Sequence, residues 1–244
     1  MELYNEDCLK VIQKLEDNSI DLLITDPPYN LGEFIRKRNY NLKSMRENSL
    51  ENIIDWDSLS KGEYLVNMNK FFSVISSKLK VGANVIIFLS SLRIESIVEI
   101  AERYNFYYKT TGVWHKTNPM PRNMNLHFVN SNEFWLYFVY KKRTGNTFNN
   151  ENRMIMDYIE SSTPKSSEKQ YGKHPTQKPI QIIDYLIKIL SREGDLVLDP
   201  FLGSGTTGES AVRLKRNFIG IELDRNYFEM AKKRIESAKE SNDT

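Results

Sequence analysis

One cysteine, Cys8, and three histidines, His115, His127 and His174, are all that this chain of 244 residues offers of the soft metal-binding and thiol chemistries. A lone thiol cannot build an internal disulfide framework and suits a reducing compartment. The histidines are scattered without ligand spacing, so no metal site is expected. Long apolar runs are missing too: none approaches the roughly 18 residues that span a bilayer. The N-terminal stretch carries no signal-peptide pattern. The expectation is a cytoplasmic protein with no membrane partner. Nor is there an excess of one charge, because the net charge is only +2. Bulk electrostatics therefore do not announce a nucleic-acid binder.

What is present is an ordinary globular composition, 40% hydrophobic and 27% charged. The length suits one sizeable domain, here read as spanning 1–244, with polar insertions at about 30–58 and 141–178. Charge is local rather than global. Arg36, Lys37 and Arg38 begin one basic stretch, and basic residues outnumber acidic ones between Lys141 and Lys178. Such patches can contact phosphates or can simply be solvated loops.

Apolar runs ended by turn residues predict strands at Met1–Tyr4, Ile20–Thr25, Asn84–Leu89, Phe106–His115, Glu133–Tyr140, Leu196–Leu198 and Asn217–Ile221. Helical spacing fills the intervals at about Lys61–Leu79, Leu92–Tyr104, Ile180–Leu190, Thr206–Leu214 and Asp224–Ala238. Strands alternating with helices predict an α/β fold, a mainly parallel sheet covered on both faces. The two aromatic-rich strands would form its antiparallel edge. The tail from Lys239 is expected to fray.

Two strand ends carry the chemistry. After Leu198 comes Asp199-Pro200-Phe201-Leu202-Gly203-Ser204-Gly205-Thr206-Thr207-Gly208, a Gly-x-Gly-x-x-Gly turn into a helix. Glycines let a ligand approach the backbone, and helix-terminal N–H groups face it. Glu222 follows the next strand, where an acid can accept hydrogen bonds from ribose hydroxyls. A tight structural turn and a nicotinamide site are the competing readings. Against the second, Asp199 would repel a pyrophosphate but welcome a ligand ammonium, and the turn lies late in the chain. S-adenosylmethionine, with a ribose, an ammonium and no phosphate, suits these residues better.

The other strand end is Asp26-Pro27-Pro28-Tyr29. An exocyclic amino nitrogen is a poor nucleophile because its lone pair is delocalised into the ring. Two acceptors, one per N–H, can let it rehybridise: the Asp26 carboxylate and the Pro27 carbonyl. Pro27 and Pro28 stiffen the turn and add no competing N–H donor. Tyr29 supplies a flat face for an extruded base, worth roughly 1–3 kcal/mol of stacking against the few kcal/mol of base flipping. A proline-rich strand end with a surface tyrosine is the bland alternative.

Taken together, the chain resembles the amino-group DNA methyltransferases, in particular the permuted (beta) group in which the catalytic tetrad precedes the cofactor loop. The resemblance rests on Asn5-Glu6-Asp7-Cys8-Leu9, Ile24 through Asn30, Asp55-Trp56-Asp57, His174-Pro175-Thr176-Gln177-Lys178-Pro179, Asp199 through Gly208, and Phe218 through Glu222. It implies a Rossmann-like seven-stranded sheet with the Asp199 strand central, beside the strand ending at Asp26. It implies Asp7 and Cys8 near the cofactor's adenine, Glu222 on its ribose, and Asp26 and the glycine turn around its methionine part. His174 and Thr176 would stand close by, although Thr176 could instead cap the following helix.

Aspartate as first residue of the tetrad resembles adenine-N6 members of restriction-modification systems, as does the stretch Asn118 through Asn123. A cytosine-N4 enzyme is the alternative, followed by an RNA or protein amino-group methyltransferase or a nicotinamide-dependent oxidoreductase. Cytosine C5 chemistry needs a thiolate nucleophile, and Cys8 sits in the cofactor motif instead. Double-stranded DNA is the expected partner, with phosphate contacts from Arg36, Lys37, Arg38, Arg122, Lys165 and Lys169. A restriction-endonuclease partner and a homodimer are left open.

Overall fold

A computed structural model of the chain describes residues 1–29, 60–121, 125–126 and 128–242. Among them, eight strands form one sheet. They are β1 (Glu2–Tyr4), β2 (Ile20–Thr25), β3 (Leu79–Leu89), β4 (Phe106–Lys116), β5 (Asn132–Tyr140), β6 (Tyr158–Ser161), β7 (Leu196–Asp199) and β8 (Asn217–Ile221). Their spatial order is β1-β8-β7-β2-β3-β5-β4-β6. Every neighbouring pair is parallel except β3 with β5 and β4 with β5, so β5 alone runs against the rest. The Rossmann-like class therefore holds, with two corrections. The sheet has eight strands rather than seven, and the antiparallel strand lies two places in from the edge. The extra strand, β6, pairs parallel with β4 and comes from the stretch read as a polar insertion.

The strands are buried because their side chains alternate between two cores. In β2, Leu23 faces one core while Leu22 and Ile24 face the other; in β3, Val85, Ile87 and Leu89 oppose Ile86 and Phe88. Three helices cover the first face: α1 (Cys8–Lys14), α2 (Lys61–Ile75) and α3 (Ile94–Arg103). Three cover the second: α4 (Ile180–Leu190), α5 (Thr206–Arg213) and α6 (Arg225–Asn242). Helix α2 opens on a capping box, in which the Ser60 hydroxyl accepts from the Glu63 N–H and Glu63 accepts from the Ser60 N–H. It stops at Ile75 rather than Leu79, because Leu79 pairs with Ile20 and opens β3. Helix α6 continues through the predicted fraying point to Asn242.

Connectivity positions the site. From β7 the chain moves through α5 to β8 on one side, whereas from β2 it moves through α2 to β3 on the other. Strands β7 and β2 are neighbours, paired at Leu22–Val197 and Leu23–Leu198. The winding reverses between them. Such a switch point leaves a crevice beyond the carboxyl ends of the strands, and both chemical motifs begin there.

Candidate active site

The crevice is a cleft of about 660 Å³, within the roughly 300–1,000 Å³ usual for small-molecule sites. Its walls come from four strand ends. The end of β1 contributes Glu6, Asp7 and Cys8; the end of β2, Asp26 and Pro28; the end of β7, Asp199 through Ser204, then Thr206 and Thr207; the end of β8, Ile221 through Tyr227. The segment before α4 adds His174, Thr176, Gln177 and Lys178. Thus the residues expected to bind cofactor converge with Asp26 on one cavity, with one exception. Gly205 turns away: a Cβ there would meet Ala231 Cα at 2.7 Å, so this glycine serves the contact with α6.

Backbone geometry explains the turn. Gly203 and Gly205 have φ of 51° and 80°, the left-handed region that glycine adopts without strain. A Cβ on Gly203 would come within 3.2 Å of His174 Nε2, on the cleft wall. Glu222 ties the turn down, accepting from the Gly203 N–H at 2.8 Å and the Asp224 N–H at 2.9 Å. Asn5 donates to the Glu222 and Leu223 carbonyls at 2.8 and 3.1 Å and locks β1 to the same corner. Ser204 and Thr206 hydroxyls lie 3.0 Å apart, and Arg234 donates to Thr206 at 2.7 Å. Asp7 lines the cleft but also caps α1, with its Oδ1 accepting from the Leu9 and Lys10 N–H groups.

Asp199 holds the two strand ends together: its Oδ1 accepts from the Thr25 hydroxyl at 2.8 Å and the Phe201 N–H at 3.1 Å. Burial pushes its carboxyl up to about 6, against the pull of these donors. Burial also raises Glu222. His174, stacked edge-on against Tyr227 at 4.4 Å, is pulled down to about 4 by burial and by Lys178. It is neutral near pH 7. Burial pushes the Cys8 thiol up to about 12, so it carries no thiolate for nucleophilic attack.

The tetrad holds a contact that the sequence did not announce. Lys178, 5% exposed, donates to Asp26 Oδ2 and lies 3.3 Å from the Tyr29 hydroxyl. Its ammonium sits over the rings of Tyr29 and Phe88, 5.6 and 5.1 Å from their centroids. Glu133 at the start of β5 completes the group, 3.2 Å from Lys178 and 2.7 Å from Lys116. Asp26 Oδ1 is buried and has no hydrogen-bond partner among the described residues. Burial drives the Asp26 carboxyl upward, Lys178 opposes this and Glu133 reinforces it. Tyr29 packs on the second core beside Lys178, and neither it nor Pro27 lines the cleft.

Thr176 stays near His174 in a local turn rather than capping α4, whose first N–H, from Ile180, donates to Glu168 at 2.8 Å. Lys165 precedes and Lys169 ends a short 3-10 turn, Ser166–Lys169, away from the cleft walls; Lys165 is exposed. Arg36, Lys37, Arg38 and Arg122 lie outside the described residues, as do Asn30 and Asp55-Trp56-Asp57. No cluster of metal-ligating side chains occurs among the described residues.

The residues fit S-adenosylmethionine on chemistry alone. Two carboxylates raised by burial, Asp26 and Asp199, would gain from a cation beside them. The acid of Glu222 stands where ribose hydroxyls would need acceptors.

Comparison with known proteins agrees. Residues 20–233 match the family described as DNA methylase. The chain is 34% identical over 252 residues to the Type II methyltransferase M2.DpnII of Streptococcus pneumoniae, covering 99% of this chain and 92% of that protein. It is 30% identical over 241 residues to the Type II methyltransferase M2.MboI of Moraxella bovis, covering 95% and 86%. Among solved structures, the M1.HpyAVI–SAM complex superposes with a TM-score of 0.68 at 29% identity, covering 96% and 98% of the two chains. The cytosine-N4-specific PvuII DNA methyltransferase shares the fold with a TM-score of 0.75 at 19% identity, covering 98% and 89%.

Proposed function

The chain belongs to the DNA methylase family, and within it we propose transfer of a methyl group to the N6 amino group of an adenine extruded from double-stranded DNA. One observation carries the reading: a buried carboxylate oxygen with no partner, Asp26 Oδ1, lies in a residue that shares a cleft with the glycine turn and Glu222. Buried acceptors in native proteins are nearly always satisfied. Asp26 Oδ1 is thus able to accept an N–H from outside the protein.

S-adenosylmethionine supplies an electrophilic methyl group on a sulfonium. Asp7, Cys8, His174, Thr176, Phe201, Gly203, Glu222 and their neighbours on the cleft wall would hold it. Asp199 and Asp26 add negative charge near its cationic part. Asp26 accepts one amino hydrogen of the target base, and the Pro27 carbonyl is the second acceptor. With both hydrogens held, the nitrogen can rehybridise. Its lone pair is drawn out of conjugation with the ring and becomes available to an electrophilic methyl group, and the methylated nitrogen then sheds one proton to solvent. Tyr29 gives the base a flat neighbour. The chain's contribution is positioning and fixed charge rather than a covalent intermediate. Cys8, kept protonated by burial, is unsuited to C5 chemistry.

Lys165 and Lys169, with Arg36, Lys37, Arg38 and Arg122, are proposed to contact DNA phosphates. Relatives that bear the name Type II methyltransferase support a cytoplasmic restriction-modification setting, with a cognate endonuclease reading the same site. A homodimer is the assembly to test by light scattering. Among the described residues no helix is long and apolar enough to cross a membrane.

The deciding assay uses labelled S-adenosylmethionine and genomic DNA free of adenine methylation, followed by digestion to nucleosides. N6-methyladenosine in its deoxy form is the expected product. N4-methyldeoxycytidine would overturn the choice of base, and label recovered only with RNA or protein acceptors would overturn the substrate class.

A further inference from the structure

We propose that Lys178 is a positioning residue for methyl transfer: it anchors one oxygen of Asp26 and so leaves the other, correctly directed, for the amino group. The inference rests on the reading of Asp26 given above. A free aspartate rotates, and its two oxygens are equivalent. Here Oδ2 is held by the Lys178 ammonium, whereas Oδ1 keeps no partner among the described residues. The ammonium is itself immobilised. Glu133 draws it from the β5 side at 3.2 Å, and Lys116 at the end of β4 pins Glu133 at 2.7 Å. The rings of Tyr29 and Phe88 bracket it. A buried ion pair whose only service is stability can often be replaced by apolar side chains. This one sits on a cleft wall, touches the tetrad at two residues and ends on the carboxylate that does the work.

The same contacts give Lys178 an electrical role. Asp26 is faced by Lys178 before α4, Glu133 on β5, Asp199 at the end of β7 and the Tyr29 hydroxyl. Lys116 is paired with Glu133, His174 feels the charge of Lys178, and Tyr64 of α2 interacts with Tyr29. Lys178 is the positive member of that group in contact with Asp26. Its own charge is kept by Asp26 and Glu133, which outweigh the cost of burial. Glu133 stays ionised because Lys178 and Lys116 outweigh its burial. Without Lys178, Glu133 keeps Lys116 while Asp26 faces the Glu133 charge with no cation of its own, so Asp26 is the group that takes up a proton. A protonated Asp26 is a poorer acceptor for the amine.

The test measures kcat from mildly acidic to mildly alkaline pH on full-length protein, with labelled S-adenosylmethionine and unmethylated genomic DNA, beside cofactor Kd and circular dichroism. Lys178→Met is expected to lower kcat near neutral pH by about 100-fold, with cofactor Kd little changed. Its acidic limb should move to higher pH, so that the deficit narrows as pH rises. Lys178→Arg, which keeps the charge, should recover part of the rate and the original limb. Glu133→Gln should move the limb the opposite way, because Glu133 raises Asp26. A folded Lys178→Met protein with near-normal kcat and an unmoved limb overturns the proposal. If that variant does not fold, an unmoved limb in Glu133→Gln does so. Asp26→Asn separates the two readings: wild-type turnover there removes the role of Asp26 itself, whereas an inactive Asp26→Asn beside a normal Lys178→Met removes only that of Lys178.

Discussion

Two carboxylates at neighbouring strand ends have different work, and single substitutions should separate them. Asp26→Ala is expected to lower methylation by about 100-fold or more, while appreciable cofactor binding remains. Retained turnover would take Asp26 out of the chemistry. Tyr29→Phe should be mild, since the ring remains and only the hydroxyl's contacts, with Lys178 at 3.3 Å and with Asp26, are lost; Tyr29→Ala should lower turnover about ten- to a hundredfold through lost stacking. Asp199 should declare itself through pH. Its folded-state value of about 6 lies above the ordinary 3.8, so between these values the folded protein keeps a proton that the unfolded chain has released. That contribution favours the fold at low pH and is lost as pH rises through about 6. Asp199→Asn should therefore gain stability relative to wild type between about pH 4 and 6, measured by denaturant midpoints. A cationic ligand favours the ionised form, so cofactor affinity should rise up to about tenfold per unit toward pH 6 and then level off. A flat profile would mean that no positive charge settles beside Asp199.

Elements divide the glycine turn into parts that look alike in sequence. Gly203 borders the cleft, whereas a Cβ on Gly208 would strike Ile235 at 2.3 Å and Phe218 at 2.7 Å. Gly208→Ala should cost roughly 1–3 kcal/mol of stability through overpacking between α5 and α6. Gly203→Ala should weaken cofactor binding more than it lowers the unfolding midpoint. Equal losses of affinity in both would show that the turn acts as one unit. The same scale explains what periodicity revealed and hid. Strands β2, β3 and β8 are runs of β-branched and apolar residues buried on both faces, which is a strong local signal. Strand β6 alternates exposure, with Tyr158 and Glu160 out and Ile159 and Ser161 in, and it has a single neighbour. Four residues with one large apolar side chain inward carry too little pattern to rise above a polar loop. Helix α1 is missed for a related reason: it has only seven residues, and its cap, Asp7, reads equally well as a ligand residue.

At the scale of the whole molecule, the switch point between β7 and β2 brings the two motifs into one crevice, and charge around it should govern DNA. Lys165→Ala and Lys169→Ala are each expected to lower the slope of log affinity against log salt by about one. Unchanged slopes would remove that segment from the phosphate contacts. The amino-acid sequence alone determined the alternation of strands and helices, the two strand ends that bear chemistry, and the acid that follows β8, because each is written in residues adjacent along the chain. It could not show which glycine meets a ligand and which meets a helix, since that depends on what the other side of the fold presses against it. Nor could it show Lys178, which stands in a stretch of polar residues like any solvated lysine. Its partner Asp26 is 152 positions away, and only the packing of α4 against the sheet buries the ammonium beside that carboxylate. Burial and long-range pairing are properties of the closed fold, and the electrostatics of the site follow from them.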